Sequence, residues 1–449
     1  MSATSIGAGG TSTGVSTAGS PRLRVAMLSM HTSPLAALGG RETGGMNVYV
    51  RAVASELAAA GVVCDVFTRR IDAETPEVEP MGNGARLIHV TAGPVAYLEK
   101  EELPPLTSAF ADGIEAFRAR EALAYDVIHS HYWLSAVAGD ALTGRWGVPH
   151  VAMFHTLGEV KLRARASEHE TPARLEAERR IVHVLDRVVA ATEHERQLLR
   201  QLYRVPPERV AVIPLGVDLD RFQPGESPGA RAEARVALGL PVDGRLVLAV
   251  GRIEPLKGLD ILIQALAEMT ERDGVELLVV GGDDRADREV ARLRAVAVEV
   301  GVAARVRFLG AVPHERLPLY YRAADAVAMP SFYESFGLVA VEAMACGVPV
   351  VASRVGGLTS TIADGRTGYL IPWRCPGPFA EKFDLLLGNR GLRDALGANA
   401  VQHMQAYSWR QVAASVRALY ERVLYERVLA GAAAHAASGS GTVRGPWSI

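Results

Sequence analysis

Residues 330–349, PSFYESFGLVAVEAMACGVP, decide how the rest of this chain is interpreted. Glu334 lies in a loop after an apolar run, and Glu342 follows beyond Gly337, where a helix is predicted to begin at about Leu338. Free N–H groups at a helix start bind anions such as phosphate, and carboxylates accept hydrogen bonds from hydroxyl groups. The predicted ligand is therefore a phosphate joined to a sugar. For the segment alone, the alternative is that both acids are ordinary helix and surface residues.

The composition narrows the class of protein. The chain has 449 residues, with 48 basic and 50 acidic side chains and a net charge of −2. This length predicts two or three α/β domains, and the balanced charge argues against a nucleic-acid-binding protein or a basic membrane-binding face. The expected partners are small molecules. Three cysteines without metal-ligand spacing, Cys64, Cys346 and Cys375, are typical of a reduced cytoplasmic compartment. No apolar run approaches the roughly 20 residues of a membrane span.

Short β-branched runs alternate with amphipathic stretches in both halves of the chain. The alternation predicts an α/β fold with two Rossmann-like, doubly wound domains that face each other across a cleft. Ligands are expected at the carboxyl ends of the parallel strands. The predicted boundaries are a disordered tail at 1–21, an N-terminal domain at 22–216, a linker at 217–243, a C-terminal domain at 244–407, a helix crossing back at 408–435 and a flexible tail at 436–449.

The loop at 31–47, HTSPLAALGGRETGGMN, joins the first strand to the first long helix. Gly44 and Gly45 permit close backbone approach at the helix entry, and Asn47 adds an amide, so the loop is predicted to face a phosphate. The alternative is a tight strand-to-helix turn without a ligand. The GxGxxG spacing is missing here and after the strand at 245–251, which disfavours a dehydrogenase.

Arg252 and Lys257 follow that second-half strand and flank Pro255. Two cations at the carboxyl end of a strand can clamp a diphosphate and neutralise the charge that develops on it during bond breaking. The alternative interpretation is a solvated basic turn.

Histidine and aspartate residues raise the question of a metal site. His129 and His131 share a strand face and His155 ends the next strand, so a three-histidine metal site is conceivable. A more economical role for His155 is a hydrogen bond to a sugar hydroxyl or a phosphate oxygen. Asp218 and Asp220 form an Asp-x-Asp pair like those that hold a metal-nucleotide, but acidic residues are ordinary in a linker.

Two separated motifs, GRIEPLKG at 251–258 and PSFYESFGLVAVEAMACGVPVVAS at 330–353, resemble the retaining GT-B glycosyltransferases with a Glu-x7-Glu element. The resemblance covers most of residues 22–430. The motifs HTSP, GGMNVYV, KEELP, HSHYWLS and HTL of the first half are similar to the D-inositol-3-phosphate N-acetylglucosaminyltransferases of mycothiol synthesis. The resemblance implies transfer of a sugar, with GlcNAc favoured, from a UDP-sugar to a phosphorylated polyol such as 1D-myo-inositol 3-phosphate. The alternatives are a sucrose-phosphate synthase-like transfer of glucose to fructose 6-phosphate and a UDP-sugar-binding protein without catalysis.

The resemblance also implies a donor site and catalytic groups. Arg252 and Lys257 would meet the diphosphate, Glu334 the sugar hydroxyls, and Glu342 the ribose. The residues implied for the donor are Gly45, Arg252, Lys257, Val312, Glu334, Gly337, Leu338 and Glu342. The residues implied for catalysis are His155, Arg252, Lys257 and Glu334.

For the acceptor, the resemblance implies positive charge from Lys100 and Arg179, as a phosphate requires. The residues implied are His31, Gly44, Gly45, Met46, Asn47, Lys100, Tyr132, Thr156 and Arg179. The chemistry requires no cofactor, although a structural Mg²⁺ is implied near Tyr321, Arg322 and Ala324. Ala37-Leu38 and Val312 depart from the Gln-Pro and Arg of relatives, which leaves the donor sugar open. The oligomeric state is also open, with a homodimer as one candidate.

Overall fold

The computed structural model describes residues 22–36, 44–164, 170–227, 229–270, 273–282, 286–372 and 375–439. Three sequence expectations fall outside these ranges: the tail at 1–21, the Ala37-Leu38 departure and the last ten residues of the tail at 436–449. The expected fold class is confirmed, because the described residues form two mainly parallel sheets covered by helices.

The first sheet has eight strands in the order β3-β4-β2-β1-β5-β6-β7-β8. Only β3 pairs antiparallel within this sheet of described residues, at its edge. The strands are β1 Arg24–Leu28, β2 Val63–Arg69, β3 Val78–Gly82, β4 Ala85–Val90, β5 Val127–His131, β6 His150–Met153, β7 Arg187–Ala190 and β8 Val210–Val212. The periodicity did not indicate β3, since its exposed edge segment contains Pro80 and lacks an apolar run.

The helices of the first half pack on both faces of this sheet, which explains why β1 and β5 are almost wholly buried and apolar. They are α1 Gly45–Ala59, α2 Thr107–Arg120, α3 Tyr132–Trp146, α4 Gly158–Ala164, α5 Pro172–Ile181 and α6 Glu193–Tyr203.

The second sheet is parallel throughout, in the order β11-β10-β9-β12-β13-β14. Its strands are β9 Arg245–Val250, β10 Val275–Val280, β11 Val306–Phe308, β12 Ala326–Met329, β13 Val350–Ser353 and β14 Gly368–Ile371. The strand order reverses beside β9 and β12, which is where ligands bind in sheets of this type. The two loops that carry the sequence motifs follow these strands.

The helices of the second half complete its layers. They are α7 Ala230–Ala237, α8 Leu259–Glu268, α9 Asp287–Glu299, α10 Leu317–Ala323, α11 Leu338–Ala345, α12 Leu358–Thr361, α13 Pro376–Gly388, α14 Arg390–Met404 and α15 Trp409–Gly439. Helix α11 begins at Leu338, as the residues around Gly337 predict. Among the described residues, no helix is long and apolar enough to cross a membrane.

The segment at 217–243 is more structured than a polar linker. It contains α7, which packs against α10 through the buried Arg235. The guanidinium donates to Asp325 Oδ2 at 2.7 Å and to the Ala323 carbonyl at 2.9 Å. This part of the segment therefore belongs to the second half, because a buried ion pair and its hydrogen bonds hold it there.

The chain crosses between the halves at two adjacent places. Val217 donates its N–H to the Tyr407 carbonyl at 2.8 Å, and Val217 and Ser408 form an isolated parallel bridge. After Ser408, α15 returns to the first half and packs along α1. The Tyr420 hydroxyl lies 2.7 Å from His129 Nδ1, which ties this helix to β5.

Candidate active site

The carboxyl ends of strands from both halves meet across a cleft. From the first half, Gly45 begins α1, and a Cβ built there would lie 2.9 Å from Leu338 Cδ1 at the start of α11. Glycine therefore allows the two helix starts to approach. The halves also interact electrostatically here, because the charge of Arg252 is one of those that lower the pKa of Lys100. The motifs of the two halves thus share one crevice.

Lys257 and Glu334 form the central ion pair of this crevice. Lys257 Nζ lies 2.7 Å from Glu334 Oε2, and the two side chains are 25% and 17% exposed. Gly258, with φ 63°, lets the loop after β9 pack on the loop after β12, because a Cβ there would overlap the Pro330 carbonyl oxygen. The acid and the cation are held together by the backbone packing of their loops.

Glu342 is buried deeper, with its carboxylate anchored at both ends. His314 Nε2 lies 2.7 Å from Oε1, and the Tyr321 hydroxyl donates to Oε2 at 2.7 Å. Each carboxylate oxygen has two lone pairs, so hydrogen bonds from a ligand remain geometrically open. The sequence did not single out His314 or the hydroxyl of Tyr321 as partners. Val312, implied for the base, is half-buried and packs against the apolar core.

The side chain of Arg252 is more exposed than that of Lys257. Its side chain is 64% exposed, and its guanidinium contacts Glu254 at 3.1 Å. Only Lys257 of these two cations is paired directly with a motif acid in the described residues. The charge of Arg252 instead acts on Lys100, whose pKa it lowers.

Asn47 shapes the loop at the start of α1. Its amide nitrogen donates to Thr32 Oγ1 and to the Ser33 carbonyl, both at 2.8 Å, and its oxygen accepts from the Gly44 N–H at 3.0 Å. The side chain is only 1% exposed. Asn47 therefore fixes the turn that precedes α1, while the partly buried Met46 beside it packs against the core.

An aromatic and cationic cluster lies at the carboxyl ends of β5 and β6. The rings of His31 and Tyr132 are 4.4 Å apart, and the Arg174 guanidinium lies 4.9 Å from the centre of the Tyr132 ring. Arg174 also donates to the Thr156 carbonyl at 2.8 Å and to its hydroxyl at 3.1 Å. Burial, with Lys100 and other cations nearby, holds the pKa of His31 well below its usual value, so this imidazole is neutral.

The structure separates Arg179, one of the residues implied for the acceptor, from this cluster. That residue lies on the outer side of α5, is 60% exposed and pairs with Glu159. Arg174, which the sequence analysis missed, is buried and points at Thr156. Five residues along a helix turn the side chain by about 140°, so the two arginines cannot face the same site. The available signal was the i, i+4 spacing of Arg174 and Glu178, typical of a buried pair on one helix face.

Tyr132 and His155, two of the residues expected at the site, adopt left-handed backbone conformations with φ of 72° and 61°. Side chains other than glycine rarely adopt this region, and it concentrates at functional sites. Tyr132 directly follows β5, and His155 follows β6 after the intervening Phe154. Both left-handed residues therefore lie at the carboxyl-end edge of the first sheet.

The histidines do not form a metal site. His131 Nδ1 and His155 Nε2 lie 3.1 Å apart and share a hydrogen bond, and His129 Nδ1 is bound to the Tyr420 hydroxyl. Burial lowers the pKa of His129 and that of His155 to about 3, so both stay neutral. Within the described ranges, no three His, Cys, Asp or Glu side chains are placed to hold a metal ion, which contradicts the three-histidine hypothesis.

The other residues considered for metal binding have structural partners. Asp218 Oδ1 accepts from the N–H groups of Asp220 and Arg221 at 3.2 and 3.1 Å, which makes it a turn cap. Tyr321 uses its hydroxyl on Glu342, Arg322 donates to the Gln223 carbonyl at 2.9 Å, and the side chain of Ala324 has no oxygen. None of these three side chains therefore offers an uncommitted oxygen to a magnesium ion.

Comparison with family models matches both halves. Residues 43–221 match Glycosyltransferase Family 4, and residues 230–403 match Glycosyl transferases group 1. D-inositol 3-phosphate glycosyltransferase 2 of Catenulispora acidiphila is 43% identical over 89% of this chain and 95% of its own length. D-inositol 3-phosphate glycosyltransferase of Actinosynnema mirum is 45% identical over 88% of this chain and 96% of its own length.

Solved structures show the same architecture. A sucrose-phosphate synthase from Thermosynechococcus elongatus is 35% identical, has a TM-score of 0.82, and matches 90% of this chain and all of its own. Anabaena HepE in complex with UDP and glucose matches 89% of this chain and 100% of its own, with a TM-score of 0.71, but at 22% identity it supports the fold alone. By its sequence relatives and its fold, this chain belongs to the family of GT-B glycosyltransferases that contains the D-inositol 3-phosphate glycosyltransferases.

Proposed function

We propose that this glycosyltransferase moves a sugar, with GlcNAc favoured, from a UDP-sugar to 1D-myo-inositol 3-phosphate with retention of the anomeric configuration. The observation that carries the proposal is a cationic pocket in the first half, formed by Lys100, Lys161 and Arg174, in which Lys161 and Arg174 pair with one carboxylate, that of Glu170. The charges of Lys161 and Arg174 both lower the pKa of Lys100. Such a pocket suits an acceptor that carries a phosphate. The names of the relatives support the same acceptor.

On the donor side, Lys257 and Arg252 are proposed to hold the departing diphosphate. Glu334, already bound to Lys257, is proposed to accept hydrogen bonds from the sugar hydroxyls, and Glu342 from the ribose. The helix start at Leu338 adds N–H groups that attract an anion. The Anabaena neighbour is itself bound to UDP, and we propose that the cleft of this chain holds the same kind of nucleotide.

The chemistry is proposed to occur on one face of the sugar. The bond from the anomeric carbon to the β-phosphate oxygen breaks, the acceptor oxygen bonds to the same face, and the acceptor proton passes to the departing phosphate oxygen. A covalent route would need a nucleophilic carboxylate, but Glu334 is paired with Lys257 and Glu342 is bound by His314 and Tyr321. The neutral His155 is proposed to hydrogen-bond a sugar hydroxyl.

The setting of the enzyme is proposed to be the cytoplasm. Cys64 and Cys346 are buried thiols rather than a disulfide, as is usual in reducing compartments. Burial raises the pKa of the Cys64 thiol to about 12, which keeps it protonated and unreactive. The proposed chemistry uses no cofactor. For the oligomeric state, we propose a homodimer.

The function is tested by measuring UDP release for UDP-GlcNAc and UDP-glucose, each with inositol 3-phosphate, inositol, fructose 6-phosphate and fructose. We expect the highest kcat/KM for UDP-GlcNAc with inositol 3-phosphate and a much lower value for inositol. A preference for UDP-glucose with fructose 6-phosphate would instead support a sucrose-phosphate synthase, which the 35% identical structure makes the second candidate. UDP binding without transfer would identify a non-catalytic sensor.

A pH dependence follows from Lys100. Burial and the neighbouring Arg252, Lys161 and Arg174 lower its pKa to about 8, so the ammonium is charged below that pH and neutral above it. The free-enzyme kcat/KM for a phosphorylated acceptor should therefore fall as the pH rises through about 8. The Lys100→Arg variant stays charged and should lack this fall. An equal decline in both proteins would assign the titration to another group.

A further inference from the structure

Glu170 bridges two cations of the cationic pocket, Lys161 and Arg174. Its Oε1 lies 2.9 Å from Lys161 Nζ, and its Oε2 lies 3.0 Å from Arg174 Nη1. The carboxylate is only 9% exposed. Each oxygen therefore neutralises one of the cations to which the acceptor phosphate is proposed to bind, and the geometry matches that of a bridging anion.

Glu178 also pairs with Arg174, but its other partners differ from those of Glu170. Glu178 is fully buried, accepts from Arg174 Nε at 2.7 Å and from the Gly158 N–H at 2.9 Å, and also binds the Tyr203 hydroxyl. Besides Arg174, its partners come from the start of α4 and the end of α6, and they fix Glu178 as a permanent counter-ion. The described contacts of Glu170 are instead with the two pocket cations alone.

The position of Glu170 in the chain allows it to move. It directly precedes Thr171, whose hydroxyl caps α5 by accepting from the Arg174 N–H at 3.3 Å, so the helix start does not depend on the Glu170 side chain. The side chain can leave the pocket while Arg174 stays held by Glu178 and Thr156.

We propose that Glu170 is an internal anion that occupies the acceptor-phosphate position in the empty enzyme and is displaced when the acceptor binds. The inference rests on the proposed function. Because displacement weakens every anion by the same factor, a bare phosphate binds poorly, and an acceptor must add contacts from its polyol hydroxyls. Glu170 also supplies counter-charge to Lys161 and Arg174 while the pocket holds no acceptor. It thus sets the strength of anion binding, and it touches the cations rather than the reacting atoms.

The test is Glu170→Gln, which keeps the size of the side chain and removes its charge. Calorimetric titration with inorganic phosphate should show binding about tenfold tighter than in wild type, as expected when one charged contact no longer competes. The KM for the phosphorylated acceptor should fall by about the same factor with kcat within about twofold, since saturating acceptor displaces Glu170 in wild type. Without phosphate, the variant should have a lower Tm than wild type. Added phosphate should raise the Tm of the variant by more than it raises the Tm of wild type.

Glu176→Gln, which removes an exposed acid from the same helix, is the matched control and should change none of these values. Equal phosphate affinity in wild type and Glu170→Gln, or no binding to either, would overturn the inference. Tighter phosphate binding without a change in acceptor KM would show that the acceptor does not use this anion pocket. That result would contradict the proposed function, whereas displacement of Glu170 by an anion would still hold. Titration of each protein with UDP confirms that the donor half is intact.

Discussion

Replacing Lys257 by alanine is expected to lower kcat by about 10²- to 10³-fold, the loss typical of removing one group that stabilises a developing negative charge. The substitution removes the cation nearest to the proposed leaving diphosphate and also frees Glu334, whose Oε2 it holds at 2.7 Å. Steady-state UDP release at saturating donor and acceptor measures the effect. Since the charge is needed most in the transition state, we expect kcat to change more than the KM of the donor.

Lys382→Ala is the matched control for this experiment. The Lys382 side chain is 26% exposed, close to the 25% of Lys257, and pairs with Glu381 on α13. This exposed pair should contribute little to stability and nothing to catalysis. Circular dichroism should show both variants folded. A rate for Lys257→Ala within a few fold of wild type would remove Lys257 from the proposed diphosphate clamp.

The second large effect is expected at Arg174. Its guanidinium donates in three directions, through Nε to Glu178, through Nη1 to Glu170 and through Nη2 to Thr156. A lysine keeps the charge but cannot reproduce this planar fork. We therefore expect Arg174→Lys to lower kcat/KM for the phosphorylated acceptor by about 10²-fold, the effect of losing two charge-assisted hydrogen bonds. The Kd of UDP, measured by titration, should not change.

Arg174→Ala separates the structural role of this residue from its binding role. It leaves the fully buried Glu178 without its ion-pair partner, which should cost about 3–5 kcal/mol in the free energy of unfolding. Denaturant unfolding measures this change. Arg180→Ala, on the exposed side of the same helix, should cost at most about 1 kcal/mol, because its pair with Asp140 is solvated. Similar stabilities for the two alanine variants would contradict the buried pair.

The sequence predicted well the features that local chemistry decides. The alternation of apolar strands and amphipathic helices identified both sheets, and the residues around Gly337 located the start of α11. The acid and cation motifs could be predicted to meet because both follow strands, β12 and β9, that are neighbours in the sheet. The carboxyl ends of adjacent parallel strands lie at one edge.

The features that depend on tertiary packing could not be predicted from local sequence patterns. Arg174 and Arg179 have the same chemistry, and only the docking of α5 on the first sheet decides which of them is buried. The partners of Glu342 come from a loop and a helix 28 and 21 residues earlier, a separation that no local pattern encodes. Helix α7 was assigned to a linker because its sequence is polar, although Arg235 is buried through its ion pair with Asp325.

The adjacent crossings at Val217 and Ser408 have a consequence for building hybrid enzymes. A recombinant protein that exchanges donor specificity with a relative should be joined at these two points, so that residues up to 216 and the final helix both come from one parent. A single fusion point would place the long helix of one parent on α1 of the other. It would then mismatch the contact between Tyr420 and His129 and the ion pair between Arg427 and Asp186. Two-junction hybrids should consequently express as folded proteins more often than single-junction hybrids.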